Sequence, residues 1–305
     1  MINKEEITLN WIESVSKANR NADKILVEKV IRALLLLEGL VEQKLSFVFK
    51  GGTALMLHLN STKRLSIDID IIIPNKPKNL DELLDKVAAE QGLIRKSLQH
   101  RVVNSKIDKE HYQFYFKPTY KTKKEEEYVL LDILFEEILY KKVIQIDIKS
   151  PFVPNIGSPS IVEVPCLEDI AGDKLTAFAP KTTGIPYFKN GDSKSMEIIK
   201  QLYDIGNLFD NVTNIDIIKT TFKRFSQTEL LYREKDSLSE LDVLDDIYQT
   251  SLCIVTRGGD GNGDFNQLQQ GIQRVSSFVF SESYHLEKGI VHASKAAYLA
   301  TLIKH

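Results

Sequence analysis

Hydrophobic and polar positions alternate with two different periods along this chain, and the change between them divides it in two. Ile7, Trp11, Ile12 and Val15 share one face of a helix predicted over residues 5–20. Ile25, Val27, Val30, Ile31, Leu34, Leu35 and Leu37 give the next predicted helix, 21–43, a wide apolar stripe. Leu45 to Phe49 reads as a short strand, Thr53 to Leu59 as a helix, Asn60 to Lys63 as a turn, and residues 65–73 as a strand that stops at Pro74. A helix over 80–91 with Gly92 beyond its end leads into three β stretches, 93–104, 111–118 and 127–135, and two shorter strands at 144–148 and 161–164. Prolines 151, 154, 159 and 165 punctuate the end of this region. From Leu167 the pattern is helical: 167–178, 193–210, 213–226, 237–256, 264–279 and 285–303, with a glycine-rich connection at 257–264. That connection lacks the Gly-Lys-Ser/Thr ending of a phosphate-binding P-loop and follows no strand. The predicted fold class is therefore α+β, a mixed sheet flanked by helices in residues 1–165 followed by a helical domain in 166–305 that closes a cleft.

Three acidic residues interrupt the most apolar strands. In the strand 65–73, Asp68 and Asp70 lie two positions apart and so project to one face, while Ile67, Ile69 and Ile71 project to the other. Asp132 sits in Val129-Leu130-Leu131-Asp132-Ile133-Leu134-Phe135, again among apolar neighbours. Neighbouring carboxylates repel, and unpartnered charge inside a protein is costly. A divalent cation neutralises them economically, and hard oxygen ligands of this kind suit Mg2+. Alternatively, Asp68 and Asp70 mark the solvated edge of a strand. The apolar flanks argue for a central strand instead, and the Gly51–Gly52 pair just upstream lets a backbone approach a phosphate closely.

Composition narrows the partners. The 305 residues are 43% hydrophobic, enough for a real core, and 40 basic against 42 acidic side chains leave a net charge of −2. Bulk charge does not suit general nucleic-acid binding, although a local basic patch remains open. Cys166 and Cys253 are widely separated and read as small buried hydrophobes in a reducing compartment. Met1 to Glu6 lack an apolar signal region, and no run reaches the ~18 apolar residues of a membrane span. A cytoplasmic protein with no membrane partner is expected.

Together these residues resemble the AbiEii/AbiGii-type toxins within the DNA polymerase beta-like nucleotidyltransferase superfamily. Lys50-Gly51-Gly52-Thr53-Ala54-Leu55 matches the family's first element in full. Arg64, Ser66, Asp68 and Asp70 match its Arg-x-Ser-x-Asp-x-Asp, Asp132 its later strand aspartate, and Asp173-Lys174-Leu175-x-Ala177 the opening of its helical half. The last element, Arg-Asp-x-Tyr-Asp, is partial: Tyr203 and Asp204 are kept, but Lys200 and Gln201 replace the arginine and the first aspartate. The likeness spans about residues 45–210. It implies a nucleotidyltransferase-like fold and transfer of a nucleotide from a nucleoside triphosphate. Asp68, Asp70 and Asp132 would hold two Mg2+ ions, Asp132 would also help deprotonate the acceptor, and Lys174 would be the fourth catalytic residue. Lys50, Gly51, Gly52, Thr53, Arg64, Ser66 and Asp204 would bind the nucleotide, with Asp204 supporting Lys174. The implied setting is a toxin–antitoxin or phage-defence system with a cognate antitoxin, and the implied acceptor is an RNA 3′ end, tRNA first.

Two other readings share these residues. One keeps the chemistry but moves the nucleotide onto a protein or a small molecule. The other treats the fold as a binding module, which three clustered acids do not favour. An RNA acceptor predicts basic residues at the mouth of the site, with Arg95, Arg101, Lys121, Lys123 and Lys124 as candidates.

Overall fold

The computed structural model describes residues 1–59, 63–99, 108–120 and 122–305. The turn at 60–62, the end of the stretch expected as strand to 104, and the candidates Arg101 and Lys121 lie outside the described residues. The chain divides into two units, Met1–Ile138 with Val143–Val164, and Leu139–Lys142 with Pro165–His305. The class is α+β, with a mixed sheet and helices in the first unit and an almost wholly helical second unit.

In the first unit, β1 (Val48–Lys50), β2 (Asp68–Ile72), β3 (Arg95–Leu98), β4 (Lys109–Phe116) and β5 (Glu127–Leu134) form one sheet in the order β1-β2-β5-β4-β3. Only β2 and β5 run parallel; the other neighbours are antiparallel. Period-two alternation sorts the two faces. Ile69, Ile71, Phe114, Phe116, Val129, Leu131 and Ile133 are buried on one side. The intervening residues of β4 and β5 are half-buried on the other. Helix α2 (Lys24–Glu42) packs against β2 and β5 and against α4 (Leu80–Glu90), and α1 (Leu9–Ala18) packs on α2. A separate two-stranded sheet pairs β6 (Val143–Asp147) with β7 (Ile161–Pro165).

Two acids interrupt the apolar surface of α2, and both hold remote chain. Glu28, fully buried, accepts from the backbone N–H of Thr119 through both oxygens (2.9 and 3.0 Å) and from the Thr119 hydroxyl (2.8 Å). Glu38 accepts from the backbone N–H of Ile2 through both oxygens, at 3.1 and 3.0 Å, and from the Ser160 hydroxyl at 3.0 Å. Buried carboxylates survive because such donors satisfy them.

The second unit packs α5 (Leu167–Ala177), α6 (Ser195–Phe209), α7 (Ile215–Tyr232), α8 (Glu240–Val255), α9 (Phe265–Val275) and α10 (Leu286–Lys304). The same device recurs. Asp169 accepts from the backbone N–H groups of Lys141 and Lys142, each at 2.8 Å, and Asp246 accepts from those of Lys181 (2.8 Å) and Thr182 (2.9 Å). Cys166 and Cys253 are free and buried, and burial pushes the Cys166 thiol up to about 12. No helix among the described residues is long and apolar enough to cross a membrane.

The first strand starts at Val48 rather than Leu45, because only Val48 to Lys50 find partners on β2. The next helix, α3 (Gly51–His58), starts at the glycine pair as expected, and the glycines form its first turn. A small hairpin, β8 (Phe188–Lys189) with β9 (Asp192–Ser193), was not anticipated. Its signal is present: Asn190 and Gly191 both adopt positive φ, 53° and 84°, as a two-residue turn between antiparallel strands requires.

Candidate functional site

Register turns the separate sequence elements into rows across the half-buried face of the sheet. Lys50 pairs with Asp70, Asp70 with Asp132, and Asp132 with His111, so an ammonium, two carboxylates and an imidazole stand side by side on β1, β2, β5 and β4. The next row runs Asp68, Leu130, Gln113 and Ser97, and the one after it Tyr128, Tyr115 and Arg95. Paired residues in a sheet point to the same face. The three predicted carboxylates therefore share one end of one face, two on β2 and one on its parallel neighbour.

The glycine pair is built against these side chains. Gly51 has a φ of +82°, and a Cβ there would overlap the Asp70 carboxylate, lying 2.9 Å from its carboxyl carbon. A Cβ on Gly52 would lie 2.6 Å from the Ser66 hydroxyl and 2.7 Å from an Arg64 guanidinium nitrogen. The start of α3 thus touches Asp70, Ser66 and Arg64 through bare backbone, with Lys50 as its N-cap. Thr53 is fully buried and donates its hydroxyl to the Asp68 carbonyl at 2.6 Å, so it ties α3 to β2. Arg64 is also buried and donates to the Leu65 carbonyl at 3.1 Å.

Sequence reasoning missed His111. Its Nδ1 lies 2.7 Å from Asp132 Oδ1, and its side chain is more enclosed than that of Asp132. The only signal available was its place near the start of an alternating stretch; which acid it faces depends on register. The basic candidates are placed variously. Arg95 lies with its guanidinium 3.4 Å from the Tyr115 ring centre and 2.8 Å from Glu126, while Lys123 and Lys124 are exposed, Lys124 3.4 Å from Glu127.

Lys174 and Asp204 belong to the second unit and meet there. Lys174 on α5 lies 3.0 Å from Asp204 on α6, and both are buried. Lys174 also donates to Gln201 Oε1 at 2.9 Å, so one residue that departs from the family pattern still orients this ammonium. Burial pushes the neighbouring Tyr203 phenol up to about 12, and Tyr203 stands edge-on to Tyr284. It serves packing rather than proton transfer. Lys200 lies over the Phe278 ring at 4.3 Å.

The donors fit a divalent cation in kind, since three carboxylates on adjacent strands offer hard oxygens to one volume. As they stand, no group of three or more His, Cys, Asp or Glu side chains among the described residues is gathered to hold an ion. Asp132 is drawn instead to His111.

The profile of a family described as "Nucleotidyl transferase AbiEii toxin, Type IV TA system" matches residues 35–254. No curated protein matches the chain. Among solved structures, JHP933 from Helicobacter pylori aligns with a TM-score of 0.49 at 18% identity, over 92% of this chain and 93% of that one. A candidate nucleotidyltransferase from H. pylori aligns at 0.46 and 19%, over 91% and 92%.

Proposed function

Because the chain belongs to the AbiEii nucleotidyl transferase toxin family of type IV toxin–antitoxin systems, we propose that it is a Mg2+-dependent enzyme transferring a nucleotide from a nucleoside triphosphate to the 3′ end of an RNA, tRNA first. The row of Lys50, Asp70, Asp132 and His111, with Asp68 on the same face, is the observation that carries this reading. A binding module has no use for three acids and an imidazole set in register against a backbone that only glycine can form. In the cell the enzyme would act in the cytoplasm, in a toxin–antitoxin or phage-defence setting, opposed by a cognate antitoxin.

Asp68, Asp70 and Asp132 would hold two Mg2+ ions, which supply charge neutralisation on the triphosphate and a lowered pKa for the attacking hydroxyl. The chain's own groups position the rest. Backbone N–H groups at the start of α3, bared by Gly51 and Gly52, point at phosphate oxygens from a helix N-terminus. Arg64, in contact with the first turn of α3, supplies a planar donor fork, and Lys50 adds a point charge. Ser66 offers a hydroxyl beside it. Asp132 takes the proton of the acceptor hydroxyl, and His111 holds that carboxylate in one orientation. Within the second unit, Asp204 and Gln201 hold Lys174, the residue to which the family likeness assigns the offsetting of phosphate charge.

The test is incubation with each radiolabelled triphosphate and total cellular RNA or protein, with and without a chelator, beside Asp70→Asn. Label should enter RNA in a chelator-sensitive manner and be absent with Asp70→Asn. Label entering protein alone would replace the acceptor. Unimpaired transfer by a folded Asp70→Asn protein would end the catalytic assignment.

A further inference from the structure

The carboxylates occupy only one end of the half-buried sheet face. Leu130 and the polar residues Gln113 and Ser97 continue the row of Asp68, and beyond that row come two tyrosines and an arginine in register on three adjacent strands. Tyr115 and Tyr128 stand 5.8 Å apart between ring centres and inclined at 54°. The Arg95 guanidinium lies 3.4 Å from the Tyr115 ring centre, and the Lys29 ammonium 5.1 Å from that of Tyr128. None of these rings is core: the core residues of the same strands, Phe114, Phe116, Val129 and Leu131, are at most 1% exposed and face the other way. Neither rings nor cations are needed to hold or activate a nucleoside triphosphate at the acid end. From Asp132 to Tyr128 is four residues along one strand, about 13 Å at the usual rise.

We propose that this row is the seat of the acceptor strand: an unpaired RNA end crosses β5 and β4 with its bases stacked on Tyr128 and on the Arg95 plane that lies over Tyr115, so that its terminal ribose reaches Asp132. The inference rests on the reading of the acceptor as RNA given above. Single-stranded RNA is recognised by exposed bases stacked on aromatic rings or guanidinium planes, often across a sheet. Stacking tolerates any base, and a cation beside the rings serves the backbone; that cation is Arg95, since Lys29 is held 2.8 Å from Glu127 in a largely buried pair. The Arg95 and Glu126 side chains form a 2.8 Å pair that is substantially exposed on both sides. Such a pair contributes little and yields readily to a phosphate. The spacing also favours a strand over a compact ligand, because a small molecule could not reach the tyrosine row and the acid row together. A duplex would not lay its bases on a sheet, so the unpaired end is the part this surface fits.

The experiment measures binding and transfer separately, using the full-length chain. A fluorescein-labelled single-stranded RNA of eight nucleotides and a blunt hairpin are titrated against wild type, Tyr128→Leu, Tyr128→Trp and Arg95→Gln, with circular dichroism as the folding check. The wild type should prefer the single strand. Tyr128→Leu should weaken it about tenfold, Tyr128→Trp should retain it, and Arg95→Gln should weaken it while reducing its salt dependence. The KM for the triphosphate should not change in any variant. If wild type labels RNA but folded Tyr128→Leu and Arg95→Gln bind it as tightly as wild type, the platform is wrong and the RNA reading stands. Should wild type label only protein and bind neither RNA, both are wrong. Equal or tighter binding of the blunt hairpin also overturns the platform.

Discussion

Gly51→Ala separates backbone geometry from chemistry. Two independent costs are built into the position. Its φ of +82° lies where an L-residue pays about 1–2 kcal/mol. The new Cβ also overlaps the Asp70 carboxylate, which must turn away, at about 0.5–1.5 kcal/mol for a side chain forced off its rotamer. The sum, roughly 2–3 kcal/mol, should lower the unfolding midpoint by about 4–12 °C at the usual sensitivity of a unit this size. The loss of transfer should be greater than instability explains, because a ligand carboxylate displaced by about an ångström can cost a hundredfold in rate. A double-mutant cycle with Asp70→Ala divides the two terms. Without the carboxylate the overlap shrinks to a tight 3.2 Å approach to the Asp70 Cβ and the φ cost dominates, so the two substitutions should be non-additive by about 1 kcal/mol. Thermal unfolding of the four proteins gives the stability terms, and labelled-nucleotide transfer by Gly51→Ala gives the rate. An additive cycle would show that Gly51 does not approach Asp70, and wild-type stability in Gly51→Ala would refute the backbone argument as well.

Three further outcomes are expected. Asp204→Leu leaves the Lys174 ammonium buried without its carboxylate, costing about 3–5 kcal/mol; the double variant with Lys174→Met should recover much of the melting temperature yet remain inactive, and a single variant as stable as wild type would contradict the pair. His111→Phe removes the donor to Asp132 and should lower kcat at least tenfold with little change in the triphosphate KM, while His111→Asn, which keeps a donor near Nδ1, should restore most of it; equal kcat in all three would remove His111 from the site. Burial holds the His292 imidazole at about 4, below its usual 6.5. The unfolded chain therefore takes up a proton between those values, stability is full above pH 6.5 and falls towards pH 4, and the loss is on the order of 3 kcal/mol. Chemical denaturation across that range should show this slope in wild type and a shallower one in His292→Phe.

Much of the first unit was legible because the relevant physics is local. Period two alone places Asp68 and Asp70 on one face and the isoleucines on the other, and this holds wherever the strand is seated. Helix periodicity located α2 and the helical second half, and the residues of the Lys50–Leu55 and Arg64–Asp70 elements were enough to indicate the family. The pairing of Lys174 with Asp204 was expected only through the family likeness, and the structure places the two 3.0 Å apart. The Asn190–Gly191 hairpin was equally local and was overlooked.

Register between strands distant in the chain is a different matter. Nothing near Asp132 dictates that it should stand beside Asp70 rather than Asp68, or that His111 should face it; these follow from how β2, β5 and β4 slide until their apolar faces seat on the helices of the first unit. The contact of Gly51 with Asp70 has the same origin. A glycine pair announces freedom of the backbone, but only the antiparallel pairing of β1 with β2 brings that backbone against a carboxylate. The tyrosine row shows it most clearly. Arg95, Tyr115 and Tyr128 are unremarkable residues on three separate strands, and they become one surface because non-local packing sets the strands in line. Side-chain direction is a property of a few consecutive residues, whereas neighbourhood across a sheet is a property of the whole packed unit.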